Sequence, residues 1–331
     1  MTNTRYVDVD ADVGGDGTTN ALTGANCAYK SLNIWEAARQ AVLSDIEECV
    51  CESNGGSHTA DTTSVTINGW TTTAAYYINI HTSVAGKHTG IYSATKYRLT
   101  IVTQDVNGIT IVEPDVIING LQVYMGISPI LVECSGIAIT CADANIDIKI
   151  CNNIIRGVAS NTNYLSGIFD MWLSGSGTCR VWNNIVYGFS ATRGLGIDFS
   201  VLNSYLYNNT VVNCGYGIAQ EGGTCIAINN LSYDNTTTFD FSGTFTTSNY
   251  NFSKDDSAPG ANSIYGDTDG KTPDFVAGGY LIESTSDAIN AGTDNPGSGL
   301  YNNSITDKLR TTPWDIGADE YRKKYSFCTI I

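Results

Sequence analysis

No stretch of this sequence is apolar over the length of a membrane span, basic residues are few, and histidine stops at position 88. Each scarcity excludes something. Without a long apolar run, no membrane-spanning helix is expected. The opening MTNTRYVDVD has no basic-then-apolar segment, so export by the general secretory route is not expected. Lysine and arginine number 17 against 33 acids, a formal charge of −16 over 331 residues. Such acidity argues against a nucleic-acid or anionic-membrane partner. It also makes a polyanionic polymer a less natural substrate, unless bound calcium or a local basic groove reverses the field.

What is present is a repeat. Gly-Ile recurs at Gly136-Ile137, Gly167-Ile168, Gly196-Ile197 and Gly217-Ile218, and Asn-Asn at Asn152-Asn153, Asn183-Asn184, Asn208-Asn209 and Asn229-Asn230. Each Asn pair follows a short alternating run, such as Ile148-Lys149-Ile150 or Tyr205-Leu206-Tyr207. Alternation is the strand period, and Val, Ile, Thr and Tyr suit strands. Asn tolerates left-handed backbone, so it suits a recurring turn. A unit of about 20–30 residues built this way predicts a solenoid whose units bury their apolar sides by stacking. Turns stacked coil on coil predict an amide ladder through Asn152, Asn183, Asn208 and Asn229.

The expected architecture is therefore all-β, a right-handed parallel β-helix, with a capping α-helix before it and an irregular cap after it. Residues 1–60 are read as the N-terminal strand and capping helix, 61–255 as coils and 256–331 as the irregular cap, all one continuous domain. Ser31 begins a predicted helix of about a dozen residues with Leu32, Trp35, Ala38 and Val42 on one side, Arg39 at its edge. Covering the open end of the coils would block fibre-like stacking. Residues 273–321 are expected to run back over the last coil or along the side, anchored by Trp314, Ile316 and Tyr321. The apolar ending SFCTII is expected to dock on the body or on a second subunit.

Ten cysteines are present. Cys151, Cys179 and Cys225 keep step with the coils, which predicts buried thiols. Cys27, Cys49 and Cys51 fall in the N-terminal region, where a disulfide is possible, and Cys49-Val50-Cys51 is too tight for a zinc knuckle. Asp8, Asp10, Asp12 and Asp16 resemble the start of a calcium loop. Val13 stands where an EF-hand needs Gly and Thr19 where it needs a bidentate Glu, so an EF-hand is excluded and only a casual calcium site is left open. No other cofactor is expected.

Three further phrases accompany the coils: Tyr6-Val7-Asp8 through Gly17, His88-Thr89-Gly90-Ile91-Tyr92, and Trp314-Asp315-Ile316-Gly317-Ala318-Asp319-Glu320-Tyr321. With them, nearly the whole chain resembles the right-handed parallel β-helix proteins of the pectin-lyase-like superfamily. The His88 phrase, with Ile117 to Val123, resembles uncharacterised phage and environmental members.

Enzymes on such a scaffold work on the outward face, and hydrolysis needs two carboxylates roughly 5–10 Å apart. With Ile inward after each Gly, the outward column is Ala138, Phe169, Asp198 and Ala219, and Asp170 points the other way. One carboxylate with apolar neighbours is not a pair. The family's paired aspartates with a nearby Gly-His-Gly are also missing. A lyase would need a basic residue, from Lys149, Arg156, Arg180 or Arg193, with Asp143, Asp147 or Asp198 as metal ligands. If the chain is an enzyme, Arg193, Asp198 and Arg156 are the expected catalytic residues.

These readings favour no catalysis. The resemblance implies a structural or adhesive protein, a phage virion component such as a capsid decoration, fibre or tail protein, on the virion or an extracellular surface. Its expected partners are other virion or surface proteins or a polysaccharide, with homo-oligomers allowed and neither nucleic acid nor membrane. The alternatives are a polysaccharide lyase or depolymerase and a cell-surface carbohydrate-binding module.

Overall fold

The computed structural model describes residues 2–127, 132–143, 145–158, 165–170, 177–236, 239–297 and 302–322. The strands stack coil on coil into a right-handed parallel β-helix, and every pairing between strands is parallel among the described residues. The strands form one sheet of 14 and one of 8. The larger sheet is bent into two faces that share the strand Tyr216–Ile228. The bend falls at Gly222-Gly223, where Gly223 has φ +70° and a Cβ on Gly222 would stand 2.3 Å from the Ser200 carbonyl oxygen. Only glycine fits both demands.

One face of the coils contains Cys134–Ile139, Leu165–Asp170, Leu195–Phe199, the first half of Tyr216–Ile228 and Phe241–Phe245. The next contains Asp147–Cys151, Thr178–Trp182 and Asn203–Tyr207. The third, the smaller sheet, contains Gln122–Met125, Ile154–Arg156, Ile185–Tyr187, Thr210–Val212 and Leu231–Tyr233. Stacking begins at Thr2–Val7 on Ile46–Cys51, ahead of residue 61, and the smaller sheet continues past residue 255 to Ile264–Tyr265.

Inside, Ile137, Ile168, Ile197 and Ile218 stack in register and are fully buried. Each contributes roughly 1.5–3 kcal/mol of burial. The glycine before each isoleucine also faces the interior. A Cβ on Gly167 would lie 2.3 Å from Val186 Cγ1 and one on Gly196 2.3 Å from Val211 Cγ1. The phrase recurs because the facing wall fills the space a side chain would take.

The amide ladder is displaced by one residue from its expected place. Asn184 Oδ1 accepts from the main-chain N and the Nδ2 of Asn153, both at 3.0 Å. The same two bonds link Asn184 to Asn209, Asn209 to Asn230 and Asn230 to Asn251. The first Asn of each pair supplies the turn instead, with φ between +52° and +58° at Asn152, Asn183, Asn208 and Asn229. Among these, Asn152 bonds Asn119 and Asn183 bonds Asn152. Asn208 finds no side-chain partner among the described residues, and Asn229 turns to Thr293. A left-handed residue throws its side chain out of the corner, whereas the next one points in, where an amide must be satisfied.

The helix spans Leu32–Arg39, and Ser31 Oγ accepts from Ile34 N at 3.1 Å. It is shorter than expected. Ala38 is exposed, and Val42 is 77 % exposed beyond the helix end. The buried side is Leu32, Trp35 and Glu36. Trp35 stacks on Trp70 at 5.7 Å, and Glu36 accepts from Trp70 Nε1. Arg39 pairs with the buried Glu47 through two bonds of 2.9 and 3.0 Å.

The C-terminal segment runs along the side of the coils. Arg310 is fully buried and donates to Asn183 Oδ1 and to the carbonyls of Gly317 and Ala318. It lies over the Trp314 ring at 5.4 Å, and Trp314 packs with Cys151, Trp182 and Tyr207. Cys151 is thus buried on the outside of the coils, whereas Cys179 and Cys225 belong to the interior. All nine described cysteines are free and buried, Cys27, Cys49 and Cys51 included. The SFCTII ending lies outside the described residues.

A carboxylate-lined cleft on the coil face

The outward column of the first face is read directly from the register. Ala138 pairs with Phe169, Phe169 with Asp198, and Asp198 with Ala219. Asp198 stands on the wall of a cleft of about 890 Å³, whose lining includes Glu133, Arg193, Tyr216 and Glu221. Phe199 pairs with Gln220, so Glu221 lies on the neighbouring coil and two positions further along. At a coil spacing near 4.8 Å and a rise near 3.3 Å per residue, the two acids' backbone positions are about 8 Å apart. That backbone spacing is of the same order as the carboxyl separations used in glycoside hydrolysis.

Asp198 is only 2 % exposed, and among the described residues its Oδ1 has no hydrogen-bond partner. Burial, and then the charges of Glu221, Asp170 and Glu133, push its pKa up to about 8. A proton therefore stays on this carboxyl at neutral pH. Glu133 is also raised, by burial first and Glu221 second. Glu221 is exposed to solvent, ahead of the Gly222-Gly223 bend. One buried protonated acid and one solvated acid thus stand side by side in the same cleft.

Arg193 reaches the rim from a tight turn. A Cβ on Gly194 would lie 1.8 Å from the Phe189 carbonyl oxygen, so the turn closes only with glycine there. Asp170 takes no part. It points inward and accepts from the main-chain N of Ser200, Val201 and Leu202 and from Ser200 Oγ, fixing the coil corner.

Of the three residues expected to act together, Arg193 and Asp198 share the cleft and Arg156 does not. Arg156 lies on the third face, 5.1 Å from the Tyr124 ring and 5.5 Å from the Tyr92 ring. Lys149 and Arg180 lie on the second face, both paired with Asp147. His88 is buried, with Nε2 donating to the Asn152 carbonyl and Nδ1 accepting from Gly90 N, and burial lowers its pKa to about 4. It is a neutral structural histidine.

The aspartates considered for calcium do not converge. Asp8 accepts from Asp10 N and Asn54 N, Asp10 from Thr59 N, and Asp16 from Thr18. Among the described residues no group of three or more His, Cys, Asp or Glu side chains is disposed to hold a metal ion.

Glu221 and Glu133 were missed by sequence reasoning. Two residues beyond Ala219 the outward column reaches Glu221 in the same parity. Glu133 precedes its strand, where no repeat marks it.

Fold and site together define a right-handed parallel β-helix with a cleft of acids on one outer face. No protein-family model matches the sequence, and no curated protein matches it. Among solved structures the chain is similar to the crystal structure of pectate lyase Pel9A, with 12% identity over 97% of each chain and a TM-score of 0.32.

Proposed function

We propose that the protein is a polysaccharide-cleaving enzyme, a hydrolytic depolymerase acting on a neutral glycan laid across the coil face. The observation that carries this reading is the buried Asp198 carboxyl, its Oδ1 without a partner among the described residues, beside the solvated Glu221 in one cleft. Asp198 holds the proton that a leaving glycosidic oxygen needs, and Glu221, as carboxylate, takes a proton from the attacking water. Phe169, next to Asp198 in register, excludes water from the acid and keeps it protonated. Arg193 orients hydroxyls of the sugar from the rim.

Among the described residues Glu133 and Glu221 stand against one arginine in this cleft, with Asp198 protonated. That field opposes a uronate chain, and a lyase requires one, because it must acidify the carbon beside a carboxylate. Hydrolysis of an uncharged polymer fits the charges better. The structural or adhesive reading rests on the absent secretory segment, the His88 phrase and the apolar outward column as well as on a missing carboxylate pair, and for the last of these Glu221 supplies a second acid. The virion component rested on a resemblance alone and gains nothing from the fold or the comparisons.

The test is release of reducing ends from a panel of neutral glucans, mannans and galactans and from polyuronates. Neutral polymers are expected to be cut without unsaturated ends, and Asp198→Asn or Glu221→Gln to lower kcat about 10²–10⁴-fold. Unsaturated products from a polyuronate would replace hydrolysis by elimination. Binding without any turnover would leave a carbohydrate-binding module.

A further inference from the structure

A second cleft, of about 610 Å³, opens on the third face, away from Asp198. Val212 lies at its floor, Tyr233 on one wall, and Phe275 and Tyr280 of the C-terminal segment on the other. The aromatic walls are fixed by packing. Tyr280 lies 4.8 Å from Tyr187 and 5.3 Å from Phe275, and Tyr233 meets Phe252 edge-on at 5.8 Å. Val212 pairs with Tyr233 on adjacent coils, so floor and wall are one coil apart.

The rim is polar for a reason of backbone conformation. Asn213 and Asp234 each follow a strand of the third face at equivalent positions, with φ +54° and +56°. Left-handed residues there turn their side chains out over the cleft. Asn213 is exposed, and its amide forms no hydrogen bond among the described residues; the same holds for the Tyr233 and Tyr280 hydroxyls. The cleft thus offers flat aromatic faces, an amide donor and acceptor, and phenolic hydroxyls. On the rim Asp234 is paired with Lys254, whose ammonium lies 5.9 Å from the Tyr233 ring centre, and with Asp274 the balance is one negative charge among the described residues, which suits an uncharged ligand.

Aromatic faces pack against the C–H side of a pyranose while amides and hydroxyls bond its hydroxyl groups. We infer that this cleft is a second binding site for a neutral glycan, separate from the catalytic face, which holds a polymer while another part of it is cut. The choice of ligand rests on the proposed glycan-cleaving function, but its occupancy is measured without turnover.

The experiment is affinity electrophoresis of Asp198→Asn protein carrying Phe169→Ala, which weakens the first cleft, through gels cast with soluble starch, hydroxyethyl cellulose, galactomannan or polygalacturonate. Retardation by one of the neutral polymers is expected. Adding Tyr233→Ala or Asn213→Ala should raise the apparent Kd about 10-fold. Asn213→Asp keeps the left-handed turn, so loss of retardation at an unchanged melting temperature assigns the effect to the lost amide and not to misfolding. In the otherwise native protein, Tyr233→Ala should leave cleavage of short soluble oligosaccharides unchanged. Retardation by no neutral polymer, equal retardation by polygalacturonate, or indifference to Tyr233→Ala and Asn213→Ala would overturn the inference. Tyr233-dependent retardation in a protein that cleaves nothing would sustain this site and sink the catalytic one.

Discussion

Asp170 and Asp198 lie on neighbouring coils of one sheet yet face opposite ways, because Asp198 pairs with Phe169 and not with Asp170. The inward acid accepts bonds from three successive main-chain N–H groups of the next corner. The outward acid is buried beside a cleft, with one oxygen that no described residue satisfies. Parity makes one aspartate a structural fastener and places the other on the cleft wall, where burial and neighbouring acids raise its pKa.

The two acids should therefore fail differently. Asp170→Ala leaves buried N–H groups unpaired and should cost about 2–4 kcal/mol, read by guanidinium unfolding. Asp198→Asn should leave the folded state intact while lowering kcat about 10²–10⁴-fold.

The raised acid sets a pH dependence. Asp198 binds its proton more tightly when folded than when unfolded, so between its ordinary value near 3.8 and about 8 the folded state holds more protons. Stability attributable to it is fully present below pH 4 and falls as pH rises toward 8. Wild-type and Asp198→Asn melting curves should then converge at pH 4, with the variant melting higher at pH 9. Cleavage should decline as pH rises through about 8, when the acid loses its proton. An Asp198→Asn melting profile parallel to wild type across this range would contradict the assignment.

Within the Asn pairs, the second residue should matter more than the first. Asn184→Ala breaks the ladder on both sides and leaves buried groups unpaired, for about 3 kcal/mol. Asn208→Ala loses no side-chain bond, only a favoured left-handed turn, for about 1 kcal/mol. Equal losses in denaturant titrations would mean that the ladder carries no special weight.

Gly167→Ala places a methyl against Val186 and should cost about 1–3 kcal/mol through overpacking. Val186→Ala in the same chain makes room, so the double variant should be more stable than the sum of the two single losses. A double-mutant cycle with no coupling would place the strain elsewhere.

The repeat was legible because it is periodic and local. Gly-Ile and Asn-Asn mark each coil, and the outward column Ala138, Phe169, Asp198 and Ala219 follows from strand parity alone. Parity also turned Asp170 inward. It was less able to say which Asn of each pair would stack, because that depends on which side chain a left-handed corner turns toward the interior. Glu221 escaped because its place depends on the Gly222-Gly223 bend, which keeps it on the first face. Glu133 and Arg193 lie off the repeat, in turns whose path is set by neighbouring coils.

By itself the sequence determined the solenoid, since a short repeat that cannot bury its apolar side alone has no stable form but the stack. The chemistry was decided only by the tertiary structure. Whether an aspartate keeps its proton depends on how much water and how many like charges surround it, and those neighbours come from coils that are distant along the chain.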